Sequence, residues 1–164
     1  MSLNYLKQFP EEIQAQVLRD PLVKDFLDKQ QEIIKEYGSV IQYIKDPTEE
    51  MKLAAVSGNG YAIEHIKDPS ISVQLAAVTN QPFAIEHINF PSEKIQLAAV
   101  SKYGPVIEHI DFPSEKVQLA AITNDPCAIY HIKNPSEEVR ETGLKNFPGL
   151  SDLLDIFTNV LNLE

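Results

Sequence analysis

Residues 61–82 read YAIEHIKDPSISVQLAAVTNQP, residues 83–104 read FAIEHINFPSEKIQLAAVSKYG, and residues 105–126 read PVIEHIDFPSEKVQLAAITNDP. They are copies of one unit of 22 residues, and the register extends in both directions. Prolines stand at Pro47, Pro69, Pro91, Pro113 and Pro135 with no insertion or deletion between them. One isoleucine column runs Ile41, Ile63, Ile85, Ile107, Ile129, and a second runs Ile44, Ile66, Ile88, Ile110, Ile132. A further apolar column holds Met51, Val73, Ile95, Val117 and Val139. Ala54-Ala55-Val56 recurs three times before the last copy departs from it with Thr142-Gly143-Leu144. A single copy this short cannot bury its apolar face, so copies must stack on one another.

Each copy reads as two helical pieces. In DPTEEMKLAAVS, Asp46 suits an N-cap, Pro47 the first helical position and Glu49 the third. NPSE at 134–137 repeats this start. Phe90 and Phe112 replace the capping residue in two copies, so those starts are expected to be weaker or to be capped by Ser92 and Ser114. SGNG, TNQP, SKYG and TNDP end these helices with Gly, Asn and Pro. A second, shorter helical turn is expected in YAIEHI, closed by the residue ahead of the next proline, which disfavours helix. Small Ala-Ala pairs let neighbouring helices approach, and the isoleucines fill the seam between copies.

The expected fold is therefore all-α: a right-handed solenoid of five repeats of 22 residues, each an α-helix plus a short α or 3₁₀ turn, with helical caps. We expect a single domain over 1–164, with an N-terminal helical cap at 1–38, the repeats at 39–148 and a capping helix at 149–164. The first cap contains PEEIQAQVLRD and PLVKDFLDKQQEIIKEYG, two longer helices stopped by Gly38. Leu150, Leu153, Leu154, Phe157, Val160 and Leu161 form an apolar stripe that either seals the last repeat or pairs two chains as a dimer.

Composition narrows the function. No run approaches the roughly 18 apolar residues of a membrane span. MSLNYLKQFPEEIQ lacks the basic and apolar segments of a secretory signal. Cys127 is the only cysteine, which leaves no internal disulfide and no thiolate cluster. These features point to a cytoplasmic protein. A net charge of −10 argues against direct nucleic-acid binding, since phosphates reward Lys and Arg. Residues 1–46 hold six basic and eight acidic side chains and residues 47–164 hold eight and sixteen, so the acidity lies on the repeats and the C-terminal segment.

The wording NPSEEVR, the Ala-Ala-Val helix and the turn TNDPCAI resemble the variant leucine-rich repeat, over roughly residues 39–148. The chain is similar also to HEAT-like α-solenoids and to the short Ala-Val repeats of bacterial and phage proteins. The resemblance implies an α-helix and a 3₁₀ helix per unit, wound as a right-handed superhelix, and a binding surface without a reaction. Founding members of the variant family carry a cysteine-rich iron–sulfur segment, which a chain with one cysteine does not reproduce.

All four histidines keep the repeat: His65, His87, His109 and His131. Stacked helices lie about 8–10 Å apart, whereas two ligands of one zinc each sit about 2 Å from it, so neighbours in this column do not share a metal. A pair such as Glu64–His65 is expected to diverge, as adjacent helical residues do. Identical groups in a ladder do not supply the converging, different groups of a catalytic site. The column is either a half-exposed by-product of duplication or a surface read by a partner. Glu64, Glu86 and Glu108 precede three of the histidines, and a second polar column runs Lys52, Gln74, Gln96, Gln118, Arg140. Cys127 falls in the packing column of Tyr61, Phe83 and Pro105, so a buried or half-buried thiol is expected. Tyr61, Phe83 and Tyr103 serve as core packing or as partner anchors.

The expectation is a non-catalytic protein-binding scaffold with no cofactor and no metal. It presents Glu64, His65, Glu86, His87, Glu108, His109 and His131 to a protein partner with a basic surface, and is a monomer or a dimer through its last helix. Neither membrane nor nucleic acid is bound directly. The alternatives are a small acidic inhibitor of a basic nucleic-acid-processing enzyme, as in phage anti-defence proteins, and, third, an enzyme. GNG at 58–60 lacks the rest of a phosphate loop, and neither G-x-S-x-G nor H-E-x-x-H occurs.

Overall fold

The structure, a computed structural model, describes residues 9–146. The apolar stripe between Leu150 and Leu161 lies outside the described residues, and with it the question of seal or dimer. The described residues are all-helical, without a strand among them. Two α-helices come first, α1 at Glu11–Arg19 and α2 at Pro21–Glu36. Asp20 caps α2 by accepting a hydrogen bond from the Leu22 N–H at 2.8 Å, ahead of Pro21 at the first position. Gly38 does not stop this helix as expected; Tyr37 ends it, and Gly38 opens the next element.

From there a 3₁₀ turn and an α-helix alternate. They are η1 (Gly38–Tyr43), α3 (Glu49–Gly58), η2 (Gly60–His65), α4 (Ile71–Asn80), η3 (Pro82–His87), α5 (Glu93–Lys102), η4 (Gly104–His109), α6 (Glu115–Asn124), η5 (Pro126–His131) and α7 (Glu137–Asn146). The chain divides into two compact units, Met1–Asn80 and Gln81–Glu164. In the first, α2 packs on α3, α3 on α4, and η1 on η2. In the second, α5 packs on α6, α6 on α7, η3 on η4 and η4 on η5. Consecutive helices thus pack on one another within each unit, the arrangement of a helical repeat.

Helix starts correct the sequence expectation by two residues. Asp46 is not an N-cap: it lies at φ 54°, and its equivalents Asp68, Phe90 and Phe112 lie at 48°, 52° and 53°. The chain turns through the left-handed region immediately before proline, and the hydroxyl that follows the proline does the capping. Thr48 accepts from Met51 N at 3.3 Å, Ser70 from Val73 N at 3.2 Å, Ser114 from Val117 N at 3.4 Å and Ser136 from Val139 N at 3.3 Å. Ser114 caps as expected, whereas Ser92 makes no side-chain cap bond.

The core follows the columns. Ile41, Ile63, Ile85, Ile107 and Ile129 are buried, as are Val73, Ile95, Val117 and Val139, and the second alanine of each pair at 55, 77, 99 and 121. Each compact unit also has an asparagine clasp between successive copies. Asn124 donates to Ser101 O at 2.9 Å and accepts from Gly104 N at 2.7 Å. Asn80 does the same with Ser57 O at 2.7 Å and Gly60 N at 3.3 Å. The turns that begin with Pro82 and Pro126 offer no N–H for such a clasp. Glycine is required at 104 by close approach, since a Cβ there would stand 2.4 Å from the Ala121 carbonyl oxygen.

Candidate functional site

From η2 to η5, each 3₁₀ turn buries two successive residues and presents the next two at the surface. In η3, Ala84 and Ile85 are buried, while Glu86 is exposed and His87 half-buried. In η4, Val106 and Ile107 are buried, and Glu108 and His109 lie outside. The tight three-residue winding, with each turn ended by a bond such as Ile88 N to Ile85 O at 3.0 Å, fixes which side chains emerge.

In the second unit the outward residues pair from copy to copy. Glu86 Oε1 lies 3.3 Å from His87 Nε2, and its Oε2 lies 3.6 Å from His109 Nδ1. Glu108 Oε2 lies 2.9 Å from His131 Nδ1. The expectation that a glutamate and the histidine after it diverge therefore fails at Glu86–His87. The pair sits at the end of a 3₁₀ turn rather than inside an α-helix, and the long Glu86 side chain folds back. Side-chain exposures of 27%, 33% and 37% for His87, His109 and His131 leave the rings on the surface. Phe83 steadies His109 from another side, edge-on at 5.4 Å between centroids, and lies 5.4 Å from the Tyr103 ring.

Glu64 and His65 are exposed on η2 of the first unit. A groove of about 890 Å³ there brings His65 together with Asp46, Glu49, Lys52 and Asp68. A smaller groove of about 330 Å³ in the second unit runs past Glu108, Asp111, Phe112, His131 and Lys133.

The second polar column is not a surface of the same kind. Gln74, Gln96 and Gln118 fold back to the carbonyls of Pro69, Pro91 and Pro113 at 2.9, 2.9 and 3.1 Å. Each amide N–H thereby satisfies a proline carbonyl at the turn ahead of the helix, an acceptor that would otherwise need another donor. Gln118, the buried member, also accepts from Ser136 N at 3.3 Å. Cys127 is exposed, contrary to expectation, because Ala128 and Ile129 take the inward positions of η5. The Tyr130 phenol, on the same turn, is held above its ordinary value of 10.0, first by desolvation and then by Cys127. Among the described residues no group of three His, Cys, Asp or Glu side chains is placed to hold a metal ion. No helix among them is long and apolar enough to cross a membrane.

What sequence reasoning missed is the surface character of Phe90 and Phe112. Both are 100% exposed. The signal was present: a bulky aromatic replaces the Asp of the earlier copies at a turn position ahead of proline. No protein-family profile, curated protein or solved structure matches this chain.

Proposed function

We propose that this chain is a non-catalytic protein-binding module, whose two units present acidic repeat surfaces to a protein partner with a basic surface. Glu64 and His65 contribute in the first unit, and Glu86, His87, Glu108, His109 and His131 in the second. The observation that carries the reading is the pairing in the second unit, in which Glu86 and Glu108 each lie against the histidine of the next copy. Tethered, exposed carboxylates are pre-positioned, so a partner that meets them loses little side-chain entropy in ordering them. The net charge of −10 favours a cationic partner and accelerates its encounter. Kinship to variant leucine-rich or HEAT-like repeats is part of this proposal, supported by the pairing of one α-helix with one 3₁₀ turn per copy. A cytoplasmic location belongs to it as well.

The experiment is an affinity capture from nuclease-treated host lysate, read by mass spectrometry. Wild type runs beside a variant carrying Glu64→Lys, Glu86→Lys and Glu108→Lys. One stoichiometric protein, lost with the variant, supports the module. Capture that is unchanged by the reversal sinks the acidic surface. A captured nuclease, inhibited by the pure protein and released by salt, would make the module an inhibitor of a basic nucleic-acid-processing enzyme, a reading that the same charge favours.

A further inference from the structure

Phe90 and Phe112 combine two costs that a fold does not need. Each is an aromatic side chain wholly in water, at 100% exposure. Each also sits at positive φ, 52° and 53°, where a side chain with a Cβ is strained and Asp, Asn or Gly is the usual occupant. Asp46 and Asp68 are the suitable residues at this positive φ, and Asn134 takes the equivalent place in the sequence of the last copy. The residue before each phenylalanine changes with it. Where the other copies have Lys45, Lys67 and Lys133, these two have Asn89 and Asp111. In the same two turns the chain has exchanged a cation for a neutral or acidic residue and a well-fitting turn residue for an exposed ring. Strain held at an exposed site, with no packing in return, is the pattern of a functional residue.

We infer that Phe90 and Phe112, with Glu108 and Asp111 in the groove beside Phe112, form a docking surface for an arginine-bearing segment of a protein partner. The inference rests on the protein-binding reading and names the anchors and the chemistry of what they hold. A guanidinium stacks on an aromatic face and pairs with a carboxylate at once, which neither an acidic segment nor a neutral one does. The loss of lysine from both turns removes the charge that would repel it. The groove beside Phe112, about 330 Å³, is open to such a side chain, with Glu108 and Asp111 lining it and Lys133 as its one lysine. A second copy of this chain is a poorer occupant, since it brings a net charge of −10 to an acidic face. Neighbouring copies are spaced by about 8–10 Å, the distance between packed helices. A polyproline helix places every third side chain on one face at about 9 Å intervals, which matches that spacing.

The test is a fluorescence-anisotropy titration of the full chain with a labelled peptide of repeating Arg-Pro-Pro, and with a Glu-Pro-Pro peptide as control. The expected result is binding of the arginine peptide alone, weakened by salt. The double variant Phe90→Asn and Phe112→Asn should bind it roughly 5–20-fold more weakly, with the charge unchanged and the turn relieved of strain. Lys133→Gln should bind it more tightly. Circular dichroism and melting, with the double variant at least as stable as wild type, separate lost anchors from lost fold. Equal affinity of wild type and double variant overturns the inference, and so does absence of binding by wild type at low salt. Sedimentation showing a wild-type dimer that the double variant abolishes would overturn it in favour of a second copy. None of these outcomes touches the capture experiment with the Glu→Lys variant, so the two readings fail separately.

Discussion

His131 Nδ1 stands 2.9 Å from Glu108 Oε2, although the two residues are 23 apart in the chain. The stacking of η5 on η4 makes them neighbours. The same geometry, at 3.6 Å, brings Glu86 to His109. These contacts run between copies, yet all their members face water, so their contribution is to position surface charge more than to hold the fold together.

Glu108→Gln should therefore cost less than about 1 kcal/mol of stability, the range of exposed ion pairs. Urea unfolding in low and high salt checks this. A loss of several kcal/mol would mean the pair is a structural clasp.

Ile107→Ala should cost about 2–5 kcal/mol, because the side chain is fully buried between copies and its removal leaves a cavity. Ile85→Ala should behave alike. A thermal or urea melt indistinguishable from wild type would contradict the core assignment.

Gly104→Ala should destabilise by about 1–3 kcal/mol or more. The added methyl would meet the Ala121 carbonyl oxygen at 2.4 Å and the Asp125 and Ala128 Cβ atoms at 3.1 and 3.2 Å, so backbone must move. Unchanged stability would show that the turn shifts freely. The substitution uses a good helix former, so a propensity argument alone gives the opposite sign.

Phe112→Asn should stabilise by about 0.5–1 kcal/mol, by removing a bulky side chain from the left-handed region. Equilibrium unfolding of the single variant measures it. A destabilised variant would mean that the ring packs in solution.

Tyr130 should titrate above its ordinary value, as desolvation first and Cys127 second both favour the neutral phenol. Difference absorbance of wild type against Tyr130→Phe follows it, and Cys127→Ser should move the midpoint back down. The linkage sign follows from proton uptake. The folded chain keeps the Tyr130 proton longer than the unfolded chain, so stability falls as pH rises from about 10 through the folded value. A midpoint that ignores Cys127→Ser would remove the thiol as a cause.

The repeat made much of this legible. The isoleucine columns, apart from the half-buried Ile44, the second alanine of each pair and the column from Val73 to Val139 are buried where the sequence placed them. Caps were less legible: Asp-Pro reads as an N-cap, but Asp46 and Asp68 turn through positive φ and leave capping to Thr48 and Ser70. Both residue types favour either role, and only the path of the chain chooses. The glutamines at 74, 96 and 118 read only as a polar column, because a repeated polar residue carries no mark of its partner. Here that partner is a carbonyl five residues back.

The sequence by itself determined the all-helical repeat, its two-piece copy and the residues that face inward. Apolar periodicity and small-residue spacing dictate what must leave water, and they are written along the chain. Tertiary structure alone decided that Glu86 spans His87 and His109, that Asn124 clasps Ser101 to Gly104, and that Phe90 and Phe112 stand in solvent. Glu86–His109 and the Asn124 clasp join residues about one copy apart, and their distances depend on how turn stacks on turn and which rotamer each side chain adopts. The exposure of the two phenylalanines depends on a backbone angle that their own residue type disfavours, so no reading of propensity would have placed them there.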